Sequence, residues 1–87
     1  MSSSAFSVRT MADVRQGMTA RVTSIDEEAA EARRFQEMGL TVGTVFRVLK
    51  VAPLGDPIEI ELRGFRLVLR KGEARFIRVQ PTEDGDV

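Results

Sequence analysis

The sequence predicts a mainly β domain, a small bent barrel of about five short strands with one helix between the first and second strands. The chain has 87 residues, of which 43% are hydrophobic, so it has the material for one small core. Apolar and polar residues alternate in several short runs that are separated by turns containing glycine or proline. Helical spacing occurs in residues 26–38, between the first two of these runs.

The first two strands differ in their patterns. In the first strand, Met18, Ala20 and Val22 alternate with polar residues, as in a half-buried strand. This alternation fails beyond Val22, which predicts a bulge or the strand end near Ser24. The second strand, residues 45–51, is apolar on both faces, which is typical of a central or strongly bent strand.

The helix is expected over residues 26–38, with Asp26 or Ser24 as the N-cap that accepts from free backbone N–H groups. Glutamates stand at its start and arginines near its end, which suits the helix dipole. Its apolar stripe consists of Ala32, Phe35 and Met38.

Gly39 stands at the position where a left-handed residue commonly ends a helix. In that case Leu40 folds back on Phe35 and completes a Schellman motif. Gly43 then turns the chain into the second strand.

Residues 52–57 join the second and third strands, and their two prolines and Gly-Asp pair predict an ordered, turn-rich loop. One interpretation is a turn that only positions the strands. The other is a rigid recognition loop that presents Leu54, because an ordered loop loses little entropy on docking. The residues expected to contact a partner are Leu54, Gly55, Asp56, Pro57, Arg66, Arg70 and Lys71.

A hairpin follows, with a two-residue turn at Arg63 and Gly64. This register places the apolar residues Ile58, Ile60, Leu62, Phe65, Leu67 and Leu69 on one face. Phe65 is therefore expected to point inward. On the other face, Glu61 is expected to lie opposite Arg66 as a favourable cross-strand pair.

The last third of the chain should form a short helical turn over residues 71–74 and a last strand over residues 76–79. It is also basic, through Arg63, Arg66, Arg70, Lys71, Arg75 and Arg78. These residues form either a solvated face or a docking surface for an acidic protein. Nucleic acid is disfavoured, because the chain has no Tyr or Trp for base stacking and Phe65 is expected inside.

Composition excludes several functions. The chain has no cysteine, so it has no disulfide, thiolate metal site or cysteine nucleophile, and it has no histidine to act as a general base. It also lacks the Gly-Lys-Ser/Thr of a phosphate-binding loop. We therefore expect neither an enzyme nor GTP hydrolysis by this chain. The 13 basic and 13 acidic residues cancel, which argues against a general polyanion binder.

The two ends of the chain differ from its middle. Residues 1–10 are serine-rich and read as a flexible arm, and residues 81–87 read as an acidic disordered tail, which leaves residues 11–80 as the folded domain. No apolar run approaches the ~20 residues of a membrane span, and the first residues do not resemble a secretory signal. A cytoplasmic location is expected.

One dense group of carboxylates could attract a metal ion: Asp26, Glu27, Glu28 and Glu31. Carboxylates alone suit hard cations better than selective capture of Fe²⁺. We interpret the group as charge complementarity at the helix start and predict no metal ligands.

Three segments carry a family signature: residues 33–44 (RRFQEMGLTVGT), 52–60 (APLGDPIEI) and 63–70 (RGFRLVLR). Together they resemble the FeoA family, ferrous iron transport protein A. Two residues depart from the family pattern: Gln36 replaces an apolar residue, and Val42 replaces the usual proline before Gly43. Within these segments Gly39, Leu40, Gly43 and Gly64 are expected to have structural roles, at the helix end and in the turns.

The resemblance implies an SH3-like barrel that serves as a cytoplasmic accessory to a FeoB-like ferrous transporter with a GTP-binding domain. It implies weak divalent transition-metal binding, although no cofactor site is identifiable. We expect membrane contact only through the partner, and a monomer or weak oligomer. The alternative is a stand-alone barrel of the iron-dependent-repressor type that contacts peptide or nucleic acid.

Overall fold

Five antiparallel strands form one sheet in the computed structural model, which describes residues 8–83. The strands are β1 (Thr19–Ile25), β2 (Val45–Val51), β3 (Ile58–Leu62), β4 (Phe65–Leu69) and β5 (Ile77–Pro81), in the sheet order β4-β3-β2-β1-β5. Helix α1 (Ala30–Glu37) lies between β1 and β2 in the chain, and α2 (Lys71–Ala74) precedes β5. Short 3-10 turns occupy Met11–Asp13 and Pro53–Gly55. The predicted fold class is confirmed.

The register between paired strands shifts at two places in the sheet. The pairing of β1 with β5 shifts between Val22 and Ser24, where the loss of alternation predicted a bulge. A second shift lies between Val48 and Lys50, where β2 pairs with β3. Because β2 has a neighbour on each side, it is central in the sheet, as its two apolar faces predicted.

The start of α1 differs from the prediction. The helix begins only at Ala30, and its N-cap Ala29 has no side-chain cap bond. Asp26 is instead held outside the helix: its backbone N–H donates to Phe76 at 3.0 Å, and its Oδ1 accepts from the backbone of Glu28 at 3.1 Å. The predicted capping by Asp26 or Ser24 is therefore wrong, because this carboxylate closes a local turn before the helix.

The end of α1 agrees with the prediction except at one residue. The Leu40 N–H donates to the carbonyl of Phe35 at 3.0 Å, and the Gly39 N–H donates to that of Gln36 at 3.0 Å. Gly39 has a φ of 102°, so this is the expected Schellman motif. Met38, however, is 45% exposed, because the helix ends before it and its side chain leaves the apolar stripe.

The β3–β4 hairpin has the predicted register, from Leu62 opposite Phe65 to Ile58 opposite Leu69. Both turn residues have positive φ, 51° at Arg63 and 87° at Gly64, as a type I′ turn requires. The inward orientation predicted for Phe65 is wrong, since this side chain is 43% exposed. It stands at the start of an edge strand, beyond the packed core.

The core lies between the sheet, α1 and the chain before β1. Its largest fully buried side chains are Phe35, Phe46, Met11, Leu40, Ile58, Ile60, Leu62, Leu69 and Ile77. Within residues 8–83 no helix has the length and apolar character needed to cross a membrane.

The folded part begins before the predicted boundary at residue 11. Val8 is buried, the Arg9 carbonyl accepts from Val79 at 3.0 Å, and Thr10 bridges Arg78. At the other end, the Thr82 N–H donates to the Thr19 carbonyl at 2.9 Å, so the sheet extends into the predicted tail. The rest of the predicted arm, residues 1–7, and of the tail, residues 84–87, lies outside the described residues.

Candidate partner-binding site

The loop between β2 and β3 presents one apolar side chain to solvent. Backbone bonds from Ala52 to Pro57 at 3.1 Å and from Gly55 to Ala52 at 2.8 Å close the loop on itself. At its tip Leu54 is 96% exposed and has a φ of 73°. A leucine in this left-handed region costs about 1–2 kcal/mol, and its exposed side chain gains nothing from burial that would offset that cost.

Asp56 attaches this loop to the start of α2. Its Oδ1 accepts from the backbone N–H of Lys71 at 3.2 Å and lies 3.6 Å from Nη1 of Arg70. The Lys71 side chain crosses Gly55, where a Cβ atom would lie 3.6 Å from Nζ. The loop and the helix start therefore form one unit, with Leu54 and two cationic side chains on its surface.

Helix α2 is held in turn by Glu73. One carboxylate oxygen of Glu73 accepts from the backbone N–H of Arg70 at 2.9 Å, and the other lies 2.8 Å from Nη2 of Arg34 on α1. These contacts fix the position of α2, to which Asp56 attaches the loop.

Asp13, in the segment before β1, lies near Lys71 of α2. Burial raises the pKa of Asp13, but hydrogen bonds from Thr10 and Arg9 and the charge of Lys71 together outweigh it, so the pKa lies below its ordinary value. The Thr10 and Arg9 backbone nitrogens lie 3.0 and 3.1 Å from Oδ2 of Asp13. Asp13 is therefore ionised at neutral pH and adds negative charge near Lys71.

The structure brings the residues expected to contact a partner together, except for Arg66. Arg66 lies on β4 opposite Glu61, as predicted, while its guanidinium is 3.8 Å from the carboxylate of Glu59. The predicted structural residues have the expected geometry: Leu40 is buried, and φ is positive at Gly39, Gly43 and Gly64.

Sequence reasoning missed two exposed apolar residues on β4. Val68 is 54% exposed on the outer face of the sheet, and Phe65 extends from the strand start over Gly39. The signal for Val68 was present, because it alternates with residues of the inward face. For Phe65 the alternation predicted an inward-facing side chain, so no sequence signal indicated its exposure.

A metal site in this chain would rely on the carboxylates of Asp and Glu. Within residues 8–83 no three carboxylates lie close enough together to hold a metal ion. The chain also has no His or Cys, the donors that transition metals prefer. The described residues therefore do not fit a resident transition-metal centre.

The five-stranded antiparallel sheet with a helix between its first two strands defines the chain as a small SH3-like domain. The family model of the FeoA domain matches residues 9–81, and the chain belongs to the FeoA family. This confirms the resemblance of the three sequence segments.

Solved structures of family members agree. The FeoA-like protein of Clostridium acetobutylicum is 33% identical, with a TM-score of 0.78 over 90% of this chain and 91% of that one. The FeoA protein of Chlorobium tepidum is 40% identical, with a TM-score of 0.74 over 90% of this chain and 73% of that one. The zinc complex of Stenotrophomonas maltophilia FeoA, described as a prokaryotic SH3 domain protein, is 28% identical, with a TM-score of 0.72 over 82% of this chain and 88% of that one.

The fold also occurs in a manganese-dependent transcriptional repressor. That protein is 23% identical, with a TM-score of 0.76 over 85% of this chain and 36% of that one. At this identity the likeness concerns the fold alone.

Proposed function

We propose that this chain is an accessory binding module of a ferrous iron uptake system, which docks on the GTPase-containing cytoplasmic part of the membrane transporter. Membership in the FeoA family supports the link to ferrous iron transport. The Stenotrophomonas maltophilia relative is described as a candidate activating factor of ferrous iron transport, which supports an accessory role.

The observation that carries this proposal is Leu54. A large apolar side chain that is 96% exposed, at a backbone angle that disfavours it, has no structural reason to be leucine. It has a functional reason if it enters an apolar pocket of a partner, where its burial contributes about 1.5–3 kcal/mol.

The surroundings of Leu54 suit such docking. Asp56 holds the loop in place before binding, so little conformational entropy remains to be lost. Arg70 and Lys71 are exposed beside it and favour a pocket with an acidic rim, which steers association more than it raises affinity. The chain acts in this proposal by contact, and the transporter carries out GTP hydrolysis.

The test is a calorimetric titration of the full chain against the purified cytoplasmic domain of the cognate transporter. We expect binding that weakens at least about tenfold in Leu54→Asp, because a carboxylate cannot enter an apolar pocket. Val42→Asp is the matched control, since Val42 is also exposed but lies in the turn before β2, away from the loop. In a second measurement, ferrous iron uptake is assayed in a strain from which the gene for this chain has been deleted.

The proposal fails if the wild-type chain does not bind at high micromolar concentration and the deletion strain takes up iron normally. A large loss of stability in Leu54→Asp, measured by thermal unfolding, would contradict the assignment of Leu54 to the surface.

A second candidate is nucleic-acid binding by a stand-alone barrel of the repressor type. The exposed Arg63, Arg66, Arg70, Arg75 and Arg78 and the similarity in fold to the manganese-dependent repressor favour it. Binding to single-stranded oligonucleotides that weakens with salt would support this candidate. Flat fluorescence anisotropy at low salt would remove it.

A further inference from the structure

We propose that the outer edge of β4 takes up an extended acidic segment of a partner protein as an added antiparallel strand. This inference rests on the proposed function, in that it describes how the same partner reaches the Leu54 loop. Addition of a strand to an exposed sheet edge is a recurring mode of peptide recognition, in which backbone bonds supply affinity and side chains supply specificity.

The backbone of β4 has N–H and C=O groups that face away from β3. With a two-residue turn, Phe65, Leu67 and Leu69 exchange hydrogen bonds with β3, and residues between them face away from it. The N–H and C=O groups of Arg66 and Val68 therefore point outward. Within residues 8–83 no strand, bridge or turn pairs with this side of β4.

The two edges of the sheet are not equivalent. At the β5 edge, the segment before β1 supplies cover, because Thr10 bridges Arg78 and Arg9 accepts from Val79. The β4 edge lacks two of the usual protections against added strands, since it carries no proline and its pairing with β3 has no bulge. Val68 leaves an apolar side chain on it, 54% exposed.

Charges on the outer face define what the added strand should contain. Arg47, Glu61 and Arg66 lie in register across three strands, so the sign of the charge alternates from strand to strand. An acidic residue opposite Arg66 continues this row, and opposite charges across strands stabilise a sheet.

The neighbouring row supplies the second position. Lys50, Glu59 and Val68 lie in register across the same three strands. Because Val68 is exposed and apolar, an apolar residue opposite it would remove apolar surface from water. The expected partner segment therefore alternates, with a small polar residue between its acidic and apolar positions.

The edge leads directly to the Leu54 loop. Arg70 follows β4 on the same side of the chain as Arg66 and Val68, and it contacts Asp56 in the loop. A second acidic residue on the added strand would lie against Arg70. Because this strand would end at Arg70, which contacts Asp56, the edge adjoins the loop at one end, and Arg66 lies towards its other end.

The first test uses a synthetic heptapeptide, Thr-Glu-Thr-Val-Thr-Glu-Thr with blocked ends, titrated into the isotopically labelled full chain and followed by NMR. We expect shifts along β4 and, at saturation, at least about tenfold slower hydrogen exchange at the amides of Arg66 and Val68. The matched control peptide has both glutamates replaced by lysine and should not bind. Shifts elsewhere, equal binding of both peptides, or unchanged exchange at these two amides would overturn the proposal.

The second test changes the edge itself. Val68→Pro removes the outward N–H while the β3–β4 bonds remain, because that N–H does not take part in them. Val68→Thr keeps the N–H and is its matched control. We expect loss of peptide binding in the first and retention in the second. Arg66→Glu provides a variant with no backbone change and should also lose binding, whereas retained binding in both Val68→Pro and Arg66→Glu would overturn the proposal.

The two proposals fail in different ways. If Leu54→Asp abolishes binding to the transporter domain but Val68→Pro does not, strand addition is wrong and the proposed function stands. If the heptapeptide protects the edge amides but the wild-type chain does not bind the transporter domain, the proposed function fails and the edge site stands. Concentration-dependent dimerisation that protects the same amides, without peptide binding, would replace the acidic segment by a second copy of this chain and overturn the proposal.

Discussion

Asp56 Oδ1 accepts a hydrogen bond from the backbone N–H of Lys71 at 3.2 Å, across 15 residues of sequence. This one contact bonds the loop between β2 and β3 to the first residue of α2. The side chain of Lys71 in turn crosses Gly55 in the loop. The position of Leu54 on the protein surface is therefore set by a side chain two residues further along the chain.

The first prediction concerns this contact. Asp56→Ala should lower the free energy of unfolding by about 1 kcal/mol, because the bond to Lys71 is lost. Asp56→Asn keeps an acceptor oxygen and should lose less, since the ion pair with Arg70 is solvent-exposed and contributes little. Urea denaturation measures both. An equal loss in the two variants would show that charge, and not the hydrogen bond, holds the loop.

The second prediction separates stability from binding at Leu54. Leu54→Gly should leave the free energy of unfolding unchanged or raise it by up to about 1 kcal/mol, because glycine adopts a φ of 73° without strain. The same variant should weaken binding to the transporter domain, because the apolar side chain is gone. Chemical denaturation and calorimetry measure the two effects. A clearly less stable variant would mean that the leucine side chain packs against the fold.

The third prediction concerns the end of α1. Gly39 has a φ of 102°, and a Cβ atom there would lie 3.8 Å from Cζ of Phe65, an ordinary contact. The cost of Gly39→Ala is therefore conformational, about 1–2 kcal/mol. It should lower the melting temperature by about 4–8 °C for each kcal/mol in a domain of this size.

Gly39→Asn is the control, because asparagine tolerates positive φ better than alanine. Calorimetric melting curves should place it between the wild type and Gly39→Ala. If alanine and asparagine cost the same, the loss would come from the contact with Phe65.

The fourth prediction concerns pH. The pKa of Asp13 is below its ordinary value of 3.8 in the folded chain, so the unfolded chain binds a proton more readily as the pH falls. Wild type should therefore exceed Asp13→Asn in stability most at neutral pH. The difference should shrink as the pH falls below about 4 towards the folded pKa. Denaturation at a series of pH values measures this, and a constant difference would exclude a role for the charge.

Much of the fold followed from local patterns. The hairpin register came from two alternating runs around Arg63 and Gly64, and the helix end came from Gly39 followed by Leu40. In these cases the residues that form the bonds are neighbours in sequence. The start of α1 could not be predicted in the same way, because Asp26 is held by Phe76 from a distant part of the chain.

The candidate site was predictable only in part. The loop and the exposure of Leu54 could be predicted from the turn residues around it. The position of Arg66 beside Glu59, without contact to that loop, could not. Phe65 shows the limit most clearly, because its alternation places it on the inward face while its strand extends beyond the core.

By itself, the sequence determined the fold class, the register of the hairpin, the family and the absence of histidine and cysteine chemistry. Only the tertiary structure decided that Asp56 joins the loop to α2, that Phe65 is exposed and that β4 lies at a sheet edge with which no other strand within residues 8–83 pairs. The physical reason is that periodicity and turn chemistry act between near neighbours. Burial and edge position depend on which distant segments pack together.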